Sequence, residues 1–139
     1  MIRHYPVTVL LILAIWVVCL MPIPETRLSH VSFIDKWTHL AMYGTLCLVI
    51  WWEHTRMCKS ACRRLSSRVW LFVWLLPILM SGLIELVQYY CTGGMRSGEW
   101  LDFAANALGG TLAQPIGYCY FRWRTSSSKR QSDASAHRK

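Results

Sequence analysis

Four apolar stretches alternate with short polar ones along this chain. Tyr5 to Met21 contains no charged residue and stops at Met21-Pro22-Ile23-Pro24, while Trp37 to Trp52 is preceded by Asp35-Lys36 and followed by Glu53-His54-Thr55-Arg56. Val69 to Tyr90 carries Pro77 in its middle and Glu85 near its end, and Trp100 to Phe121 carries Asp102 near its start and Gly109, Gly110 and Pro115 inside. A helix needs about 20 mostly apolar residues to cross a bilayer. The pattern therefore predicts four spanning helices, at about 5–21, 36–53, 69–90 and 100–121. A cleaved signal peptide would begin as the first stretch does, but no small-x-small cleavage pattern follows it and further apolar stretches do. Pro77 predicts a kink and a neighbour that satisfies the carbonyl its missing N–H leaves open.

Composition supports the same reading. Of 139 residues 54% are hydrophobic and 16% charged, with mean hydropathy +0.28, against about 25% charged in soluble domains. Composition argues against an ordinary soluble globule and excludes disorder for most of the length. The net charge of +8 is sorted by position rather than gathered on a binding face. Arg3, then Arg56, Lys59, Arg63, Arg64 and Arg68, then Arg122, Arg124, Lys129, Arg130, Arg138 and Lys139 fall on one side of the four stretches; only Arg27, Lys36 and Arg96 fall on the other. Basic residues concentrate on the cytoplasmic side of membrane proteins, so the fold class expected is an all-α membrane protein, a four-transmembrane-helix bundle with both termini cytoplasmic. Aromatic residues give the same boundaries, with Trp37, Tyr89, Tyr90 and Trp100 at the outer interface and Trp51, Trp52, Trp70, Tyr118, Tyr120 and Trp123 at the inner one. The membrane domain is read as 1–124 and the Ser-rich basic segment 125–139 as a disordered cytoplasmic tail. Nothing supports nucleic-acid binding.

Cysteine adds little. His54, Cys58 and Cys62 share helical spacing but read as incidental side chains of a loop helix rather than a metal face. Cys19 and Cys91 both fall near the outer side, where they could pair. No cofactor-binding motif and no dedicated metal motif is found.

Polar residues within the spans gather at one level. Asp35 and His39 are one helical turn apart, as are Asp102 and Asn106; Glu85 and Gln88 are three residues apart, with Ser81 a turn from Glu85. All three pairs lie near the outer ends of their helices, within about 10 Å of the surface at 1.5 Å per residue. Ionisable groups in spans usually face the bundle interior. On the fourth stretch Asp102, Asn106, Gly109, Gly110 and Ala113 share one side and Leu101, Leu108 and Leu112 another that can meet lipid; the small residues allow close helix approach. Packing alone would explain the cluster as a hydrogen-bonded lock. Three helices supplying polar groups at one depth favour a functional pocket instead.

These residues resemble a family. Asp35-Lys36-Trp37-Thr38-His39, Ile84-Glu85-Leu86-Val87-Gln88, Arg96, and Asp102-Phe103-Ala104-Ala105-Asn106-Ala107-Leu108-Gly109-Gly110 are similar in order and spacing to the VanZ-like family of small bacterial membrane proteins. The likeness covers positions 35 to about 113 and extends to the first span; the stretch Thr92 to Glu99 departs from the family's pattern of a residue such as Pro before the Arg and a compact Arg-to-Asp spacing. The resemblance implies residence in the bacterial cytoplasmic membrane and a link to teicoplanin resistance, without a settled reaction.

Two classes of function follow. In the first, Lys36, Gln88, Arg96, Asp102 and Asn106 bind membrane lipid, such as a polyprenyl phosphate or another anionic lipid-linked envelope intermediate, with Arg96 and Lys36 on the phosphate. His39 would act as general base, oriented by Asp35, with Glu85 as its acid partner. The carboxylates, His39 and Asn106 could alternatively hold a divalent cation. In the second class the protein is a non-catalytic accessory whose cluster is structural. Ion transport ranks last, because below the cluster only isolated polar groups such as Thr45, Thr111 and Gln114 occur.

Overall fold

The computed structural model describes residues 5–21, 34–58, 66–91 and 100–136. They form four α-helices and no strand: α1 (Pro6–Leu20), α2 (Ile34–Met57), α3 (Ser67–Cys91) and α4 (Trp100–Ala136). One of them, α3, is long and apolar enough to cross a membrane by length and composition; α1 is apolar but has 15 residues. The most extensive packing is between α2 and α4, and α1 packs on α2 and α3 but scarcely meets α4.

Glycine brings α2 and α4 together. A Cβ on Gly109 would lie 2.2 Å from the Leu40 carbonyl oxygen, so only the hydrogen of glycine fits there. Further along the seam, Trp51 is fully buried, lies over Gly117 and donates its indole N–H to Gln114 Oε1 at 3.0 Å. That corrects the expected place of Trp51 in an interfacial belt: a flat ring fills the space left by a missing side chain, and Gln114 satisfies its one donor. Trp37, Tyr89, Tyr90, Trp100, Trp52, Trp70, Tyr118 and Trp123 are exposed.

Pro77 leaves α3 continuous. The Val73 carbonyl, which would accept from residue 77 in a regular helix, accepts from the Cys47 thiol of α2 at 3.6 Å. The neighbour required by the proline is therefore Cys47.

Both ends of α1 are held by other helices. Tyr5 offers no side-chain cap to the first turn; the buried Glu53 of α2 does so instead, accepting from Val7 N (2.9 Å), Thr8 N (3.0 Å) and Thr8 Oγ (2.6 Å). At the far end the Gln88 side-chain amide of α3 donates to the Cys19 carbonyl at 2.8 Å. These are backbone groups that a helix cannot satisfy internally. Between the ends, Ile15 and Cys19 pack on Tyr43, Leu46 and Ile84.

The α4 helix extends beyond the expected span. Residues 125–136, read from composition as disordered, continue the helix, and Thr125 and Ser127 bond back to the Phe121 and Trp123 carbonyls. Such local bonds satisfy the two hydroxyls within the helix without adding to its stability. Cys19 is buried and Cys91 exposed, and no disulfide joins them.

Candidate functional site

The polar groups expected at one level converge at the Asp35 end of the helices. The i, i+4 spacing puts Asp35 and His39 on one face of α2, and Asp102 and Asn106 take the facing side of α4. Close approach at Gly109, one turn below Asn106, brings these faces within bonding distance. Lys36 Nζ forms a contact ion pair with Asp102 Oδ1 and lies 3.9 Å from Asp35 Oδ2. His39 Nδ1 and Asn106 Oδ1 are 3.1 Å apart, and Asn106 Nδ2 donates to Ser81 Oγ of α3 at 2.7 Å.

This chain assigns the imidazole tautomer. With its amide N–H directed to Ser81, Asn106 presents a carbonyl oxygen to His39, so Nδ1 carries the proton and donates. The other nitrogen, Nε2, is then the one left to bind or release a proton. It faces a gap bordered by Asp35 Oδ1 at 3.8 Å and Asp102 Oδ2 at 4.0 Å. The ring is therefore oriented by Asn106, whereas Asp35 was expected to do so; Asp35 stands on the side where a proton would be taken up. Burial deepens along the chain, from an Asp35 side chain 47% exposed and a Lys36 side chain 20% exposed to an Asn106 that is 1% exposed. The cluster is reached through Asp35 and Lys36.

Glu85 and Gln88 arrive from α3 and are both buried. Glu85 stands near Tyr43, whose buried hydroxyl lies beside Ser81 and Cys19; Gln88 serves the Cys19 carbonyl, a structural role beside the binding role expected for it. Arg96 lies outside the described residues. Tyr43 and Ser81 extend the polar chain into the bundle. Tyr43 is one turn after His39, on the same face, and that spacing was the available signal.

One ligand atom each from Asp35, His39 and Asp102 lies within 4.8 Å of the others, so the three could hold a cation. The Lys36 ammonium is paired with the same Asp102 carboxylate, so a metal would have to displace it.

At the opposite end, Glu53 and His54 form a second polar group, in which spacing marked His54 and Cys58 but not Glu53 or Tyr5. The Tyr5 hydroxyl is 3.1 Å from His54 Nδ1, Cys58 Sγ is 3.7 Å from His54 Nε2, and the ring stacks on Phe121 at 6.3 Å. Burial lowers the His54 pKa from its ordinary 6.5. Cys62, grouped with His54 and Cys58 by spacing, lies outside the described residues. The signal for Glu53 was the absence of a capping residue before Pro6, which obliges another helix to supply one.

No family model matches the chain, and neither a curated protein nor a solved structure does.

Proposed function

We propose that the chain is a four-span VanZ-like protein of the bacterial cytoplasmic membrane, with both termini cytoplasmic and the Asp35 end outward, where it binds the phosphate of an anionic lipid or lipid-linked envelope intermediate. The observation that carries this reading is an inverted distribution of side chains. Leu10, Leu13, Leu79, Leu83, Leu108 and Leu112 are more than half exposed, while His39, Glu85, Asp102 and Asn106 are buried. Apolar surface on this scale is costly in water and neutral in hydrocarbon. Lys36 and, from the sequence, Arg96 supply cationic donors for a phosphate. The Nε2 lone pair of His39, aimed at the gap beside Asp35, is the group best suited to accept a proton from a bound substrate.

A structural reading competes, favoured by the mutual satisfaction of Lys36 with Asp102 and of His39, Asn106 and Ser81. Two measurements separate them. Reporter fusions at Lys59 and after Phe121 should be cytoplasmic, and a periplasmic result refutes the topology. An alanine series across Asp35, His39, Glu85, Arg96 and Asp102 is scored for membrane abundance and for teicoplanin susceptibility. A variant that is abundant but inactive identifies a site; loss of protein in every case identifies a lock. Native mass spectrometry of Arg96→Lys against wild type, with added polyprenyl phosphate, tests the phosphate itself. A planar guanidinium grips two phosphate oxygens where an ammonium does not, so equal retention by both refutes the assigned role.

A further inference from the structure

A cavity of about 450 Å³ lies between α1 and α3 with α2 as its floor, its Arg68 end opposite the Asp35 end of the helices. Its origin follows from the way α1 is held. Glu53 draws the start of α1 onto α2, Gln88 ties its end to α3, and the two helices part between those points toward the Glu53 end. Val9 and Ile12 form one wall, Val73 and Leu76 the other, and Leu46 and Ile50 the floor. Phe72 and Leu76 are 60% and 49% exposed, so the crevice opens sideways onto the apolar exterior.

Its polar groups are confined to one end. Arg68, His54 and Tyr5 stand at the mouth; Thr8, deeper in, donates its hydroxyl to Glu53. Among the described residues no Asp or Glu lines the crevice. A long apolar slot with a cationic mouth matches a lipid acyl chain whose glycerol carries a phosphate headgroup.

We infer that this crevice binds one phospholipid of the cytoplasmic leaflet, with an acyl chain along α3 and Arg68 on the headgroup phosphate. The inference rests on the membrane reading above and concerns a different end of the molecule. Length supports it: from Arg68 to Met80 the crevice follows α3 for roughly 18 Å at 1.5 Å per residue, and one leaflet supplies about 15 Å of a 30 Å hydrocarbon core. Its volume falls within the ~300–1,000 Å³ of small-molecule sites. Charge supports it too. Arg56 ends α2 beside Trp52, and Lys59, Arg63 and Arg64 occupy the sequence between α2 and α3, the same segment that the basic-residue asymmetry assigns to the cytoplasm. A water-soluble ligand would not enter through a lateral opening flanked by Phe72 and Leu76.

The test is native mass spectrometry of the full chain from bilayers of mixed phosphatidylglycerol and phosphatidylethanolamine, after an alkaline carbonate wash of the membranes. Wild-type protein is expected to retain one phospholipid, phosphatidylglycerol in preference. Val9→Trp, which fills the crevice and leaves the Asp35 cluster intact, should cut retention about tenfold, and Ile12→Phe should do so if the larger residue prevents folding, as read by thermal unfolding. Arg68→Gln should keep a lipid but lose the preference for the anionic one. Release of the chain by carbonate overturns the membrane reading and this inference with it. A chain that stays in the membrane while folded Val9→Trp or Ile12→Phe retains lipid as wild type does overturns the crevice site alone.

Discussion

Substituting Gly109 by alanine tests the seam on which the polar cluster depends. The added methyl would sit 2.2 Å from the Leu40 carbonyl oxygen and 3.1 Å from the Leu40 Cα. Carbon and oxygen approach no closer than about 3.3 Å without repulsion. The obstacle is backbone rather than a flexible side chain, so α2 and α4 must separate by roughly 1 Å. Overpacking of this kind costs ~1–3 kcal/mol. The separation also stretches the contact between His39 and Asn106 from 3.1 Å past the ~3.5 Å at which a hydrogen bond is lost, and an unsatisfied buried group adds about 1–3 kcal/mol. Together the loss should reach about 3 kcal/mol or more. Gly44 provides the control: a methyl there meets the Gly109 carbonyl oxygen at 3.4 Å, an ordinary contact, and alanine is the better helix former by about 0.5–1 kcal/mol. Thermal unfolding in detergent micelles should show Gly109→Ala strongly destabilised and Gly44→Ala equal to wild type or better. Equal behaviour of the two variants would refute the close approach and, with it, the account of how the cluster is assembled.

Glu53→Gln turns one carboxylate oxygen into a donor facing the Val7 and Thr8 donors, and should destabilise the protein by about 2 kcal/mol in the same unfolding assay; an unchanged transition would exclude the cap. Asn106→Leu removes the acceptor for His39 and the donor to Ser81 together, so loss of about 2–3 kcal/mol is expected, with Ser81→Ala costing about 1 kcal/mol; the reverse order would contradict the chain of bonds. His54 has a pKa below that of the unfolded chain, so the unfolded state binds more protons as pH falls. Its contribution is fully present above about pH 6.5 and declines below that value. The melting temperature of wild type should therefore fall more steeply than that of His54→Gln on going from pH 7 to 5, and parallel curves would refute the coupling.

Hydrophobic runs and helix periodicity were enough to locate α1 to α4 and to say which side of α4 turns inward. Asp102, Asn106, Gly109, Gly110 and Ala113 are buried, and Leu101, Leu108 and Leu112 are exposed. The meeting of Asp35, Lys36 and His39 with Asp102 and Asn106 was legible for the same reason, since one turn of spacing puts each pair on a single face. What spacing does not carry is the identity of the neighbour across the gap. Trp51 looks like any interfacial tryptophan until Gly117 is placed opposite it, and Gln88 reads as a site residue until the end of α1 arrives beside it. Glu53 has the same difficulty: a charge at the end of an apolar run resembles a boundary, and only the unfinished first turn of α1 makes it a partner.

That unfinished turn bears on how the protein is made. At 1.5 Å per residue the 15 residues of α1 span roughly 22 Å, less than the ~30 Å of a hydrocarbon core, so in the bilayer of the proposed membrane reading its end groups would not all reach water. Unsatisfied backbone groups in lipid cost several kcal/mol each. Preceding α2 and α3 in the chain, α1 must wait for Glu53 before its amide end is complete and for Gln88 before its carbonyl end is. Of α1, α2 and α3, the earliest in the chain is thus the last to be finished. A chain arrested before α3 would hold α1 by one end only, which makes the arrival of Gln88 the step that closes assembly of this half of the molecule.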